Sequence, residues 1–132
     1  MLSWEQLLQM VGQGHEIGAH TVHHPKLHQL PVEEARREVL QCKSDLEARL
    51  KVPVESFAYP RGHYTPVVKE LVRAAGFTSA VTIHEGTLGP VFDPFELPRI
   101  PVQPDTSLAA FKARTTAAID WYSRLQRRRR GA

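Results

Sequence analysis

Apolar residues recur along this chain with two different periods, and the alternation between them predicts its elements. Trp4, Leu7, Leu8 and Val11 share one face of a helix predicted from Trp4 to Val11, closed by Gly12 and Gly14. Glu16 to His20 reads as a short strand leading into a polar loop. Pro31 opens a long helix at the first-turn position, where its missing N–H removes no bond, and Glu33 and Glu34 sit at the positive end of the helix dipole. Val32, Ala35, Val39, Cys42, Leu46 and Leu50 then recur every three or four residues, an apolar stripe for packing on a sheet. Glu34, Glu38, Arg36, Arg37 and Lys43 make up its outer, solvated face. Val52 to Tyr59 is the next predicted strand, flanked by Pro53 and Pro60. Thr65 caps a helix that has Pro66 at its first position, carries Val67, Val68, Leu71, Val72 and Ala75, and stops at Gly76. Phe77 to Ile83 is a β-branched strand, and Gly86 to Phe95, with two prolines and two glycines, is a loop. Leu97 to Val102 is a last strand whose prolines place it at an edge or a barrel rim. A terminal helix capped by Ser107 runs to about Gln126 and carries Leu108, Phe111, Ile119, Trp121, Tyr122 and Leu125.

Strands alternating with helices imply a parallel sheet with helical cover, an α/β fold. At 132 residues, 42% hydrophobic and 23% charged, the chain is one domain or part of one and long enough for a core. No apolar run approaches the ~20 residues of a membrane span, and residues 1–6 lack the basic and apolar regions of a signal peptide. The single cysteine, Cys42, excludes an internal disulfide and reads as a half-buried structural thiol. The formal charge of +3 resides in Arg127 to Arg130; three less those four leaves −1 for the body. Residues 127–132 read as a basic disordered tail. A terminal arginine run can bind anions, but no nucleic-acid motif accompanies it, so no nucleic-acid partner is expected.

Chemistry concentrates in Gly14-His15-Glu16-Ile17-Gly18-Ala19-His20-Thr21-Val22-His23-His24-Pro25, which holds four of the seven histidines. Imidazoles bind Zn²⁺ at about 2.0–2.1 Å, and a catalytic zinc site uses roughly three protein ligands plus an open position. His20 and His24, four residues apart across a bend that ends in proline, can converge on one point if the chain turns there. A histidine-rich polar surface loop is the competing reading, and the loop alone does not separate the two.

The segment from Gly14 to Leu27 resembles the second signature motif of the polysaccharide deacetylases (the NodB-homology, chitin-deacetylase-like family), in which the two histidines bind metal. Phe57-Ala58-Tyr59-Pro60-Arg61-Gly62-His63-Tyr64 resembles the third, groove-lining motif. Ala74-Ala75-Gly76-Phe77 and Ala80-Val81-Thr82 resemble the helix end and strand that follow, and Leu97-Pro98-Arg99-Ile100-Pro101-Val102 resembles the arginine-bearing fourth motif. The similarity runs in order from about Trp4 to about Val102. The family's first motif, Phe-Asp-Asp-Gly, has no counterpart: no Asp-Asp pair exists and the first aspartate is Asp45. A late Leu-x-x-His histidine is also absent after Arg99. Residues 1–126 are therefore expected to form the C-terminal part of a deacetylase domain, an incomplete distorted (β/α) barrel that begins inside the domain.

The resemblance implies His20 and His24 as ligands of a divalent metal, zinc foremost, with the third ligand and the general base supplied by the missing aspartates. It implies a backbone N–H at Arg61 as an oxyanion donor, although Arg61 stands where tyrosine is usual and Ala58 where arginine is usual. Arg99 matches the arginine that orients the base aspartate; a surface arginine on an edge strand is its rival reading. Tyr59, Pro60, Arg61 and Tyr64 would contact substrate, with half-buried packing an equal reading of Tyr59 and Tyr64, and His63 could touch sugar. His15 would support its strand, His23 would point to solvent, and His28 and His84 would lie on the surface. The implied activity is hydrolysis of acetyl groups, N-acetyl first, from a polysaccharide or oligosaccharide; family members are often exported or associated with the cell envelope. Two alternatives stand beside it: a catalytically inactive remnant that binds glycan, and an anion-binding module working through the arginine tail.

Overall fold

A computed structural model describes residues 2–116. Ile119, Trp121, Tyr122 and Leu125 of the predicted terminal helix, and Arg127 to Arg130, lie outside the described residues.

Among the described residues, four α-helices and three parallel strands follow in the order α1 (Trp4–Gly12), α2 (Val32–Leu50), β1 (Ser56–Ala58), α3 (Pro66–Ala74), β2 (Ser79–Glu85), β3 (Leu97–Arg99) and α4 (Leu108–Arg114). Short 3₁₀ turns occupy Leu27–Gln29 and Pro60–Gly62. The sheet order is β1-β2-β3, with Phe57 opposite Ala80, Val81 opposite Leu97, and an irregularity before Glu85 meets Arg99. The sheet is open, as an incomplete barrel requires, and β3 is an edge, where its Pro98 is tolerated.

The helices begin where local chemistry predicts. Ser3 caps α1 in a reciprocal arrangement with Gln6, and Thr65 accepts from the Val68 N–H ahead of Pro66 in α3. Pro31 stands one position earlier than expected, as the N-cap of α2, and its carbonyl accepts from Glu34 and Ala35. Ala35, Val39, Cys42 and Leu50 are buried and Leu46 is partly so, but Val32, on the same stripe, is exposed. Cys42 is buried in the apolar core rather than half-exposed, and burial pushes its thiol up, with the His20 and Thr21 amides pulling the other way. The amphipathic α1 buries no residue fully; Leu8 is exposed, and Trp4 lies under the Arg49 guanidinium at 4.3 Å.

β2 keeps its expected length but lies two residues later, at Ser79–Glu85, while the other strands are shorter than their propensities suggest. Of Val52 to Tyr59, Ser56–Ala58 alone forms a strand, and Leu97 to Val102 contracts to Leu97–Arg99. Ahead of β1, the Val54 N–H donates to Glu47 and the Val54 carbonyl accepts from the Lys43 ammonium. Side chains of α2 thus replace ladder bonds at the start of the predicted strand. Glu16 to His20 narrows to a single parallel bridge between Ala19 and Phe57.

Phe57 sits at the centre of the core, with its ring centroid 5.5 Å from Tyr59 and 5.2 Å from Phe77. Lys69 grips Asp93 at 2.8 Å and Glu96 at 2.6 Å, fastening the loop before β3 onto α3. Its neighbour Arg73 covers Phe95 at 4.7 Å. The Pro60–Gly62 turn is held by a glycine. Gly62 has φ +69°, and a Cβ there would lie 2.3 Å from Ile83 Cγ1 and 2.7 Å from the Ile83 backbone nitrogen. Gly62→Ala should therefore cost roughly 2–4 kcal/mol, combining left-handed strain with overpacking. Urea denaturation measures this, and a loss below half a kcal/mol would show that the turn yields freely.

Candidate functional site

The histidine loop starts from the bridge at Ala19. The Ala19 N–H donates to the Ser56 carbonyl and its own carbonyl accepts from the Ala58 N–H, both at 2.8 Å. Gly18 sits close to that contact: a Cβ there would approach the Ser56 carbonyl oxygen to 3.3 Å. One residue on, the His20 ring reaches back to the same strand, with Nδ1 2.6 Å from the Ala58 carbonyl oxygen. A carbonyl can only accept, so Nδ1 carries a proton, which in the neutral ring leaves the lone pair on Nε2. Such bonding is how ligand histidines are oriented.

The chain then reverses. Thr21 has φ 66° and His24 φ 54°, both left-handed without being glycine. For a β-branched residue such as Thr21 this is a true outlier; strain of this kind runs to roughly 1–3 kcal/mol per residue. The Thr21 hydroxyl accepts from the His24 N–H at 3.1 Å and closes the bend. The reversal brings the His20 and His24 rings edge to face, with centroids 4.8 Å apart. Both residues are exposed.

Glu38, assigned to the outer face of α2 on charge pattern, instead faces the loop. One carboxylate oxygen accepts from the Val22 and His23 amides, each at 3.0 Å, and the other from His23 Nδ1 at 2.7 Å. Burial alone would push this carboxyl up; the His23 and Val22 donors outweigh it and hold it below the usual carboxylate range. A signal was present: Glu38 falls three residues after Ala35 and four before Cys42, on the buried stripe. His23 remains largely exposed, yet its ring is tied to Glu38.

The third-motif residues divide by accessibility. Tyr59 is 1% exposed, donates its hydroxyl to the Phe95 carbonyl at 3.1 Å and stacks on Tyr64 at 4.7 Å; burial drives its phenol far above the ordinary range. Pro60 is also buried. Arg61 is exposed at the bend, with φ 57°. Tyr64 is half-buried, and burial followed by the Glu96 carboxylate pushes its hydroxyl up to about 12. Arg99 is exposed and its Nε donates to the Thr82 carbonyl at 2.7 Å, which ties β3 to β2. His28, expected on the surface, is half-buried. Its Nδ1 is shielded without a hydrogen-bond partner, and its ring lies 5.2 Å from His63. His84 and His15 are exposed, as is His63.

The donor set at the bend suits a divalent metal in part. His20 offers a tautomer-fixed Nε2 and His24 an adjacent ring, while among the described residues no group of three or more His, Cys, Asp or Glu side chains gathers at one point.

Comparison with known proteins adds an independent line. A family profile described as polysaccharide deacetylase matches residues 2–80. The Streptococcus pyogenes deacetylase PplD, solved in complex with acetate, superposes with a TM-score of 0.81 and 25% identity over 87% of this chain and 51% of that one. IcaB from Ammonifex degensii gives 0.72 and 30% over 80% of this chain and 50% of its own. In Bacillus subtilis strain 168, YxkH, named provisionally as a polysaccharide deacetylase, is 26% identical over 112 residues, or 85% of this chain and 40% of that protein. The chain thus spans about half the length of these solved structures, and less of YxkH.

The burial of Tyr59 separates packing from ligand contact. Tyr59→Phe should lose about 1 kcal/mol in urea denaturation, the worth of one buried hydrogen bond. Unaltered stability would instead show that the hydroxyl contributes nothing to packing.

Proposed function

The chain belongs to the polysaccharide deacetylase family, and on that premise we propose that it is the histidine-bearing part of a metal-dependent carbohydrate deacetylase. The reaction is hydrolysis of acetyl groups, N-acetyl first, from a polysaccharide. The observation that carries this reading is the convergence of His20 and His24 at 4.8 Å, with His20 locked in one tautomer by Ala58. Both lie just beyond Ala19, at the end of the segment that pairs with β1, the position that active sites favour in (β/α) barrels.

His20 Nε2 and the His24 ring would hold the metal. When bound, a divalent ion such as Zn²⁺ lowers the pKa of water and polarises an acyl oxygen. The rest falls to the polypeptide. The Ala58 carbonyl keeps the His20 proton on Nδ1. The Arg61 peptide N–H, at a left-handed bend, is the donor proposed for the developing oxyanion, a role that needs backbone geometry rather than a particular side chain. The half-buried Tyr64 ring, stacked on Tyr59, presents a flat wall on which a pyranose could pack. Arg99 would orient an acidic base. These 132 residues contain no Asp-Asp pair to supply that base or a third metal ligand.

A second reading, a glycan-binding remnant without turnover, is favoured by the lack of a third ligating side chain at the bend among the described residues. One experiment separates the two. A longer protein with the Asp-Asp motif ahead of Trp4 is assayed for Zn²⁺-dependent acetate release from an N-acetylated oligosaccharide. We expect turnover that chelation abolishes, and a loss on the order of 10³-fold with His20→Ala or His24→Ala, equivalent to several kcal/mol of metal assistance. Saccharide binding that survives both substitutions, with no acetate released, would leave the remnant reading in its place.

A further inference from the structure

We infer that Glu38 is a positioning residue for the metal-binding pair, acting through the backbone between the two histidines. The inference rests on the proposed metal site at His20 and His24. Between those residues lie Thr21, Val22 and His23. The two left-handed residues, Thr21 at φ 66° and His24 at φ 54°, flank the Val22-His23 dipeptide. Left-handed backbone at non-glycine residues persists only where surrounding contacts over-determine it. The Thr21 hydroxyl supplies one such contact, to the His24 N–H at 3.1 Å. Glu38 supplies three, with both dipeptide amides at 3.0 Å and His23 Nδ1 at 2.7 Å.

The platform behind Glu38 is rigid. Its neighbours on α2, Ala35, Val39 and Cys42, are buried in the core, and the Glu38 side chain is only 16% exposed. The carboxylate therefore stands at a fixed place relative to β1, which also fixes His20 through Ala58. One ligand is set by the sheet and the other by the turn that Glu38 holds. Removing the carboxylate leaves two amides without an acceptor, and water satisfies them best if Thr21 and His24 return to negative φ. That return swings the His24 ring away from His20, so affinity for a shared ion falls while the core is untouched.

A merely structural glutamate and a positioning one differ in which quantity moves. Co²⁺ is titrated into this chain and followed by its d–d absorption, with Zn²⁺ competition for affinity and urea denaturation for stability. The variants are Glu38→Ala, Glu38→Gln and the double substitution His20→Ala/His24→Ala. The expected result is Co²⁺ binding that the double variant abolishes and that Glu38→Ala weakens roughly 10–100-fold, the usual effect of losing a group that orients a ligand. Glu38→Gln, which still offers a carbonyl oxygen to both amides, should recover most of the affinity. Equal Co²⁺ affinity in wild type and Glu38→Ala would overturn the inference and leave the metal site standing. If Glu38→Gln is as weak as Glu38→Ala and both lose stability in proportion, Glu38 is a structural residue and positioning is refuted. If wild type binds no more Co²⁺ than the double variant, the metal-site reading itself fails, and the role of Glu38 falls with it.

Discussion

One residue of parallel pairing holds the candidate site to the sheet. Ala19 exchanges two backbone hydrogen bonds with the strand around Phe57, and everything distinctive about the loop is measured from that contact. Because Ala19 is fixed, His20 leaves the sheet at a set angle and its Nδ1 meets the carbonyl of Ala58, the residue that also donates to Ala19. Backbone pairing and side-chain orientation are thus two uses of one strand. Beneath them Phe57, clasped between Tyr59 and Phe77, keeps β1 from shifting; burying a ring of this size contributes about 1.5–3 kcal/mol.

Rigidity on one side of the bend contrasts with strain on the other. The sheet needs no unusual conformation to present His20, whereas His24 is reached through two left-handed residues. The Pro60–Gly62 turn also uses left-handed backbone. Arg61 and Gly62 both have positive φ, and Gly62 is pressed against Ile83 so tightly that no side chain fits. Lys69, with Asp93 and Glu96, fastens the loop before β3 onto α3.

Much of the fold was legible because it depends on local chemistry. The cap at Thr65, the proline that starts α3 and the stripe from Ala35 to Leu50 are written in short spacings, and they appear within a residue or two of expectation. Strand extents were less legible because they depend on partners. Val52 to Val54 has strand-like composition, but Lys43 and Glu47 of α2 claim the Val54 backbone before a neighbouring strand can. The pairing of His20 and His24 could be anticipated from a four-residue spacing and a family resemblance. Glu38 could not be found from charge, which places it among solvated residues; only its position on the Ala35–Cys42 face betrays it. Tyr59 shows the converse limit, since a motif can mark a groove without saying that one of its rings turns inward to the Phe95 carbonyl.

Metal binding at the bend depends on which nitrogen of His20 is free. Long-range ¹H–¹⁵N NMR on histidine-labelled protein, recorded where imidazoles are neutral and then repeated with Zn²⁺, reads this directly. The expected result is a protonated Nδ1 and an unprotonated Nε2 on His20 without metal, and Zn²⁺-induced shifts at the free nitrogens of both His20 and His24. A His20 ring protonated at Nε2, or a Zn²⁺ titration that moves neither ring, would contradict it.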